Sequence, residues 1–140
     1  MAYASRRPDA TYSVRSYKDV GLETQVLSAS PERLISLLYS GARVAIGQAK
    51  QHLEQGNVPG RATAINHAMR LVDEGLKQAL ANPQEDKLAA NLDSLYDYIL
   101  RQLVTANIKG EVAPLDEADR LLADLQDAWQ TAVDRPAAAV

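Results

Sequence analysis

The sequence predicts an all-α protein, an antiparallel up-down-up-down four-helix bundle with a short N-terminal segment packed on it. Three observations point there. Apolar residues recur at spacings of three and four over long stretches, the period of an amphipathic helix. Proline and glycine punctuate the chain at intervals of about a helix length. Alanine and leucine, both strong helix formers, supply 23 and 18 of the 140 residues. Strand signals are lacking, with neither period-two alternation nor an Asn-Gly or Asp-Gly hairpin turn. Short links between long helices make sequential neighbours antiparallel.

Residues 1–15 lack sustained periodicity and read as a flexible tail. In residues 16–27, Val20, Leu22, Val26 and Leu27 give a short segment something to bury against the body. The bundle proper, with its packed segment, is expected over 16–135. Its first helix, about 31–55, opens at Ser30-Pro31-Glu32, with a serine N-cap, proline in the first turn and an acid near the positive dipole end. Leu34, Leu38, Ala42, Ala45, Ala49 and Leu53 form its stripe, widened by Ile35, Tyr39 and Ile46, and Gly56 closes it. The second, about 58–81, follows Asn57-Val58-Pro59 and carries Ile65, Met69, Val72, Leu76 and Leu80. The third, about 83–109, is expected to be capped by Asn82, with Glu85 at the third position. Its stripe is Leu88, Leu92, Leu95, Ile99, Leu103 and Ala106, and Gly110 ends it. The fourth, about 114–133, starts at Pro114 and aligns Ala118, Leu122, Leu125, Trp129 and Ala132, leaving 136–140 as a C-terminal tail.

Composition narrows the chemistry. Hydrophobic residues make up 46% and charged residues 24%, enough to bury one core. A net charge of −3 and a pI near 5.3 argue against a sequence-independent nucleic-acid binder, which needs a basic face. The lack of cysteine excludes disulfides, thiol nucleophiles and thiolate metal sites. Arg6-Arg7 has no apolar run after it, so no secretory signal is expected. No stretch nears the roughly 18 apolar residues of a membrane span. These features predict a soluble cytosolic protein that does not insert into membranes.

No catalytic, metal or cofactor site is expected. A di-iron bundle needs Glu-x-x-His on two helices, and neither His52 nor His67 has a glutamate three residues earlier. Ser36, Ser40 and Ser94 lack a nucleophile elbow, and Gly56–Gly60 lacks the Lys-Ser/Thr of a phosphate loop. Two features stay open between a structural and a binding role. From Glu111 to Arg135, seven acids face two arginines, which makes either a solvated face or a docking surface for a basic partner. Gly41, Gly47 and Gly75 interrupt predicted helices, each costing up to about 1 kcal/mol relative to alanine. They mark either close approach inside the bundle or a shallow outer groove for another helix.

The run from Ser28 through Pro31-Glu32-Arg33-Leu34-Ile35 to Tyr39-Ser40-Gly41-Ala42, then Leu53-Glu54-Gln55-Gly56-Asn57, resembles the flagellar secretion chaperone FliS family. So does Asn91-Leu92-x-x-Leu95-Tyr96-Asp97-Tyr98-Ile99 with Leu103, Ala106-Asn107 and Ala128-Trp129. The ordered set spans about Tyr17 to Trp129. The resemblance implies a cytosolic export chaperone that binds the C-terminal segment of flagellin, prevents its premature polymerisation and delivers it to the flagellar type III export apparatus, the export gate being a further partner. It implies a client that is disordered alone and turns helical along outer grooves, and a monomer or weak dimer in the client's absence. Leu88, Asn91, Leu92, Leu95, Tyr96, Tyr98, Ile99 and Leu103 are the groove residues expected for that client. Tyr17, Val20 and Val26 are the expected lid over it, by carry-over from the family's N-terminal segment. The chain departs from the family's usual residues at Ser40, where an acid is common, and at Asp86-Lys87, where Gly-Glu is common. The alternative from a different class is a structural or regulatory bundle acting by self-association.

Overall fold

The computed structural model describes residues 29–135. The expected tails, the packed N-terminal segment and the lid residues Tyr17, Val20 and Val26 lie outside the described residues. Four α-helices follow in order: α1 (Pro31–Glu54), α2 (Val58–Arg70), α3 (Lys87–Lys109) and α4 (Ala113–Asp134), with α2 running on into a π-helical segment, Leu71–Lys77. Among the described residues there is no strand, and no helix is long and apolar enough to cross a membrane.

Local chemistry sets each boundary. The Ser30 hydroxyl accepts from the Arg33 amide at 3.2 Å, and Pro31 occupies the first helical position. Asn57 caps α2 through a 3.0 Å bond from the Gly60 amide. Its carboxamide nitrogen then lies 3.2 Å from His52 Nδ1, so this histidine serves the α1–α2 turn. Gly110 ends α3 in the left-handed region at φ 65°, its amide donating to the Ala106 carbonyl at 2.9 Å, a backbone shape that a side chain disfavours.

Two boundaries differ from expectation. The third helix begins at Lys87 rather than near 83, because Asp86 is its cap, accepting from the Leu88 amide at 2.9 Å and the Ala89 amide at 3.4 Å. Asn82 instead accepts from the Gln84 amide at 3.1 Å and shapes a turn. The second helix does not continue as α to 81; it is π-helical from Leu71 and turns out of the helix after Lys77.

The core joins Leu38, Ala42, Ile46 and Ala49 of α1, Ile65 and Ala68 of α2, Val72 of the π segment, Ile99, Leu103 and Ala106 of α3, and Leu115, Ala118 and Leu122 of α4. Its many alanines let the helix axes approach closely. Around the perimeter α1 touches α2 and α4, and α3 touches the same two. Cross-helix bonds give the directions. Lys77 at the end of the π segment meets Asp93 and Asp97 near the start of α3, while Arg61 near the start of α2 meets Asn107 near the end of α3. Ser36 and Lys50 of α1 meet Gln130 and Asp116 of α4. Each of these pairs therefore runs antiparallel.

Candidate functional site

The structure divides the expected groove residues between two faces of α3. Tyr96 (3% exposed), Ile99 and Leu103 are buried in the core. As exposed groove residues they are corrected: at about 100° per residue they share one arc with Ala89 and Leu92, the arc that points to the bundle axis, and their burial withholds them from the surface. Asn91, Leu95 and Tyr98 sit on the flank that turns towards α4, while Leu88 and Leu92 continue the inward arc towards the start of the helix. Leu88 is 67% exposed, Asn91 is exposed, and Leu92, Leu95 and Tyr98 are half-buried. Leu92 and Leu95 rest on the edge of the core, as do Leu121, Leu125 and Trp129 of α4. These leucines are partly buried side chains of two helices that touch, α3 and α4.

Polar contacts bound these leucines. Gln102 donates to both the Tyr98 hydroxyl, at 2.8 Å, and the Glu117 carboxylate. The Glu117 carboxylate also accepts from Tyr98 and raises that phenol's pKa above its ordinary value. Arg101 stands 5.8 Å from the Tyr98 ring centroid. Behind them, the hydroxyls of Tyr39 and Tyr96 share a 2.6 Å hydrogen bond in the core, joining α1 to α3 across the bundle. Burial raises the pKa of both phenols.

The α1–α4 edge is built differently. Ser36 donates to Gln130 at 3.2 Å, Gln126 donates to Ser40 at 2.7 Å, and Arg43 binds Asp119 at 2.9 Å and Gln126 at 3.2 Å. Lys50 pairs with Asp116 at 2.6 Å, which raises the lysine's pKa. Trp129 closes the far end, its indole donating to the Glu32 carbonyl at 3.1 Å. Ser40 thus ties α1 to α4. Three acids of the last helix, Asp116, Glu117 and Asp119, hold neighbouring helices together, so much of its excess charge is structural.

The interior glycines also separate. An added side-chain carbon at Gly75 would lie 2.8 Å from Leu38, whereas at Gly47 nothing lies within 4 Å. The first is a close approach inside the bundle and the second faces outward. Sequence reasoning missed Lys77, which binds both Asp93 and Asp97; the spacing of those two acids, one turn apart, was the available signal. Among the described residues no group of three or more His, Asp and Glu is placed to hold a metal ion.

The model of the family described as "Flagellar protein FliS" matches residues 13–136. The chain belongs to the FliS family. Its relatives in this family include the flagellar secretion chaperone FliS of Salmonella typhimurium, 37% identical over 117 residues, 84% of this chain and 87% of the relative. The Pseudomonas aeruginosa flagellar secretion chaperone FliSB is 35% identical over 120 residues, covering 86% and 94%. The Escherichia coli flagellar secretion chaperone FliS is 29% identical over 127 residues, covering 91% and 93%. The match spans all four helices of the FliS bundle described above.

Proposed function

We infer that this chain is an export chaperone of the cytosol, without enzymatic activity, which binds the C-terminal segment of flagellin, keeps it from polymerising and presents it to the flagellar type III export apparatus. The observation that carries this reading is the set of leucines left partly or largely uncovered on two touching helices, Leu88, Leu92 and Leu95 of α3 and Leu121 and Leu125 of α4. An amphipathic client helix offers matching apolar anchors at spacings of three and four. Family membership supports the role, because the relatives are named as flagellar secretion chaperones. Tyr98 and Asn91 border these leucines and supply hydrogen-bonding groups at their edge. Tyr96, Ile99 and Leu103 serve the same surface from behind, fixing α3 against the core.

The test is calorimetry and circular dichroism with a flagellin C-terminal peptide. A 1:1 complex with a gain in helix is expected, and full-length flagellin but not a C-terminally truncated one co-purifies with the chaperone. Absence of both heat and added helix overturns the reading. The lid expected at Tyr17, Val20 and Val26 belongs to the same proposal: deletion of residues 1–20 raises client affinity, by no more than the segment's own docking energy. Self-association through the same leucines is separated by light scattering, where a concentration-independent dimer without client would favour it.

A further inference from the structure

The second helix leaves α-geometry where its sequence gives no reason to. Leu71-Val72-Asp73-Glu74-Gly75-Leu76-Lys77 contains no proline, and its apolar spacing suits an α-helix, yet this stretch is π-helical. A π-turn closes each hydrogen bond one residue further along than an α-turn and is rare outside single insertions, many of them at functional places. Close contacts with two other helices fall within it. Gly75 lies so close to α1 that a side-chain carbon there would sit 2.8 Å from Leu38. Lys77 is only 22% exposed, and its Nζ binds Asp93 at 2.7 Å and Asp97 at 3.0 Å on α3. Counted from the buried Val72 at about 100° per residue, an α-helical Lys77 would stand about 140° round the axis. A wider turn advances less per residue and brings Lys77 back to the flank that faces α3.

We propose that Lys77 is a latch whose two ion pairs with α3 hold the end of α2 in the π register. With the latch open, the segment relaxes to α-helix and the residues after it turn about the axis. The π segment supplies Asp73 and Glu74 to a groove of about 580 Å³ that Leu100 of α3 and Met69 of α2 also line, so the latch sets the shape of that groove.

The experiment uses the full-length chain. Lys77→Met keeps the length of the side chain and removes its charge. In this variant the Cα chemical shifts of residues 71–80 change, and amide protection after Gly75 falls at least about tenfold while α1 and α4 keep theirs. The pair Asp93→Asn and Asp97→Asn reproduces the change from the other side of the latch, and Lys77→Arg, which keeps the charge, retains the wild-type pattern. Wild-type shifts and protection in Lys77→Met overturn the proposal. A second measurement addresses the register directly. Deleting Asp73 removes the extra residue and lets an α-helical turn carry Lys77 to the same flank, about 40° round from Val72, so it lowers the Tm of the wild-type chain less than that of the Lys77→Met chain; an equal or larger loss in the wild-type chain overturns the latch.

Discussion

The Tyr39–Tyr96 bond places two hydroxyls in an otherwise apolar core, and its worth depends on the pair rather than on either member. Removing one hydroxyl leaves the other buried without a partner, whereas removing both leaves two well-shaped phenyl rings. Tyr96→Phe and Tyr39→Phe are each expected to cost about 1–3 kcal/mol in urea unfolding, and the double variant less than the sum. Additive losses would show that the hydroxyls act separately. The pair also gives the protein an alkaline limit. Burial raises both phenol pKa values above the ordinary value of about 10, so the unfolded chain loses these protons first. Stability from the pair is complete below about pH 10 and is lost as the pH rises from there towards the folded values. Lys50 and Lys77, raised by their carboxylate partners, add losses of the same sign. The double phenylalanine variant should therefore show a shallower fall in Tm above pH 10, though not a flat one.

The ends of the helices show where pattern alone misleads. Ser30 and Pro31 were legible as the start of α1 because a hydroxyl cap and a first-turn proline answer a local need. The start of α3 was not, since Asn82 and Asp86 both carry a suitable oxygen and only tertiary structure decides which is spent on a turn. Asp86→Ala should thus cost about 1 kcal/mol and Asn82→Ala clearly less, as read by urea midpoints; the reverse order would restore Asn82 as the cap. The π segment was invisible because its apolar positions, Val72, Leu76 and Leu80, keep helical spacing whichever register the backbone takes. On α3 the stripe and its flank are both apolar, so periodicity identified the helix but not which of Leu95 and Tyr96 points inward. The glycines give a contrast in sign. Gly47→Ala should stabilise by up to about 1 kcal/mol, since the new methyl meets nothing and helix propensity improves. Gly75→Ala should lower the Tm, because Leu38 is buried in the core and has to move, a form of overpacking.

The bundle has two kinds of long edge, and they should fail in different ways. Between α1 and α4, serines, glutamines and ion pairs face one another at hydrogen-bonding distance, so that edge is already satisfied without a partner. On α3, Leu88, Leu92 and Leu95 have no such closure, and Leu88 is two-thirds exposed. A change at an exposed helix position typically moves stability by no more than about 0.5 kcal/mol, so Leu88→Asp should leave the Tm nearly unchanged. Under the proposed function the same change puts a carboxylate where an apolar client anchor sits, and client affinity should fall at least about tenfold, or 1.4 kcal/mol. On the polar edge the dependence reverses. Lys50→Gln with Asp116→Asn removes a half-exposed ion pair worth at most about 1 kcal/mol, so it should lower stability slightly and leave client affinity as it was. Calorimetric titration of both variants with the flagellin C-terminal peptide, beside their thermal melts, separates the edges. If the polar-edge variant lost affinity and Leu88→Asp kept it, the client would lie along α1 and α4 instead of on the leucines of α3.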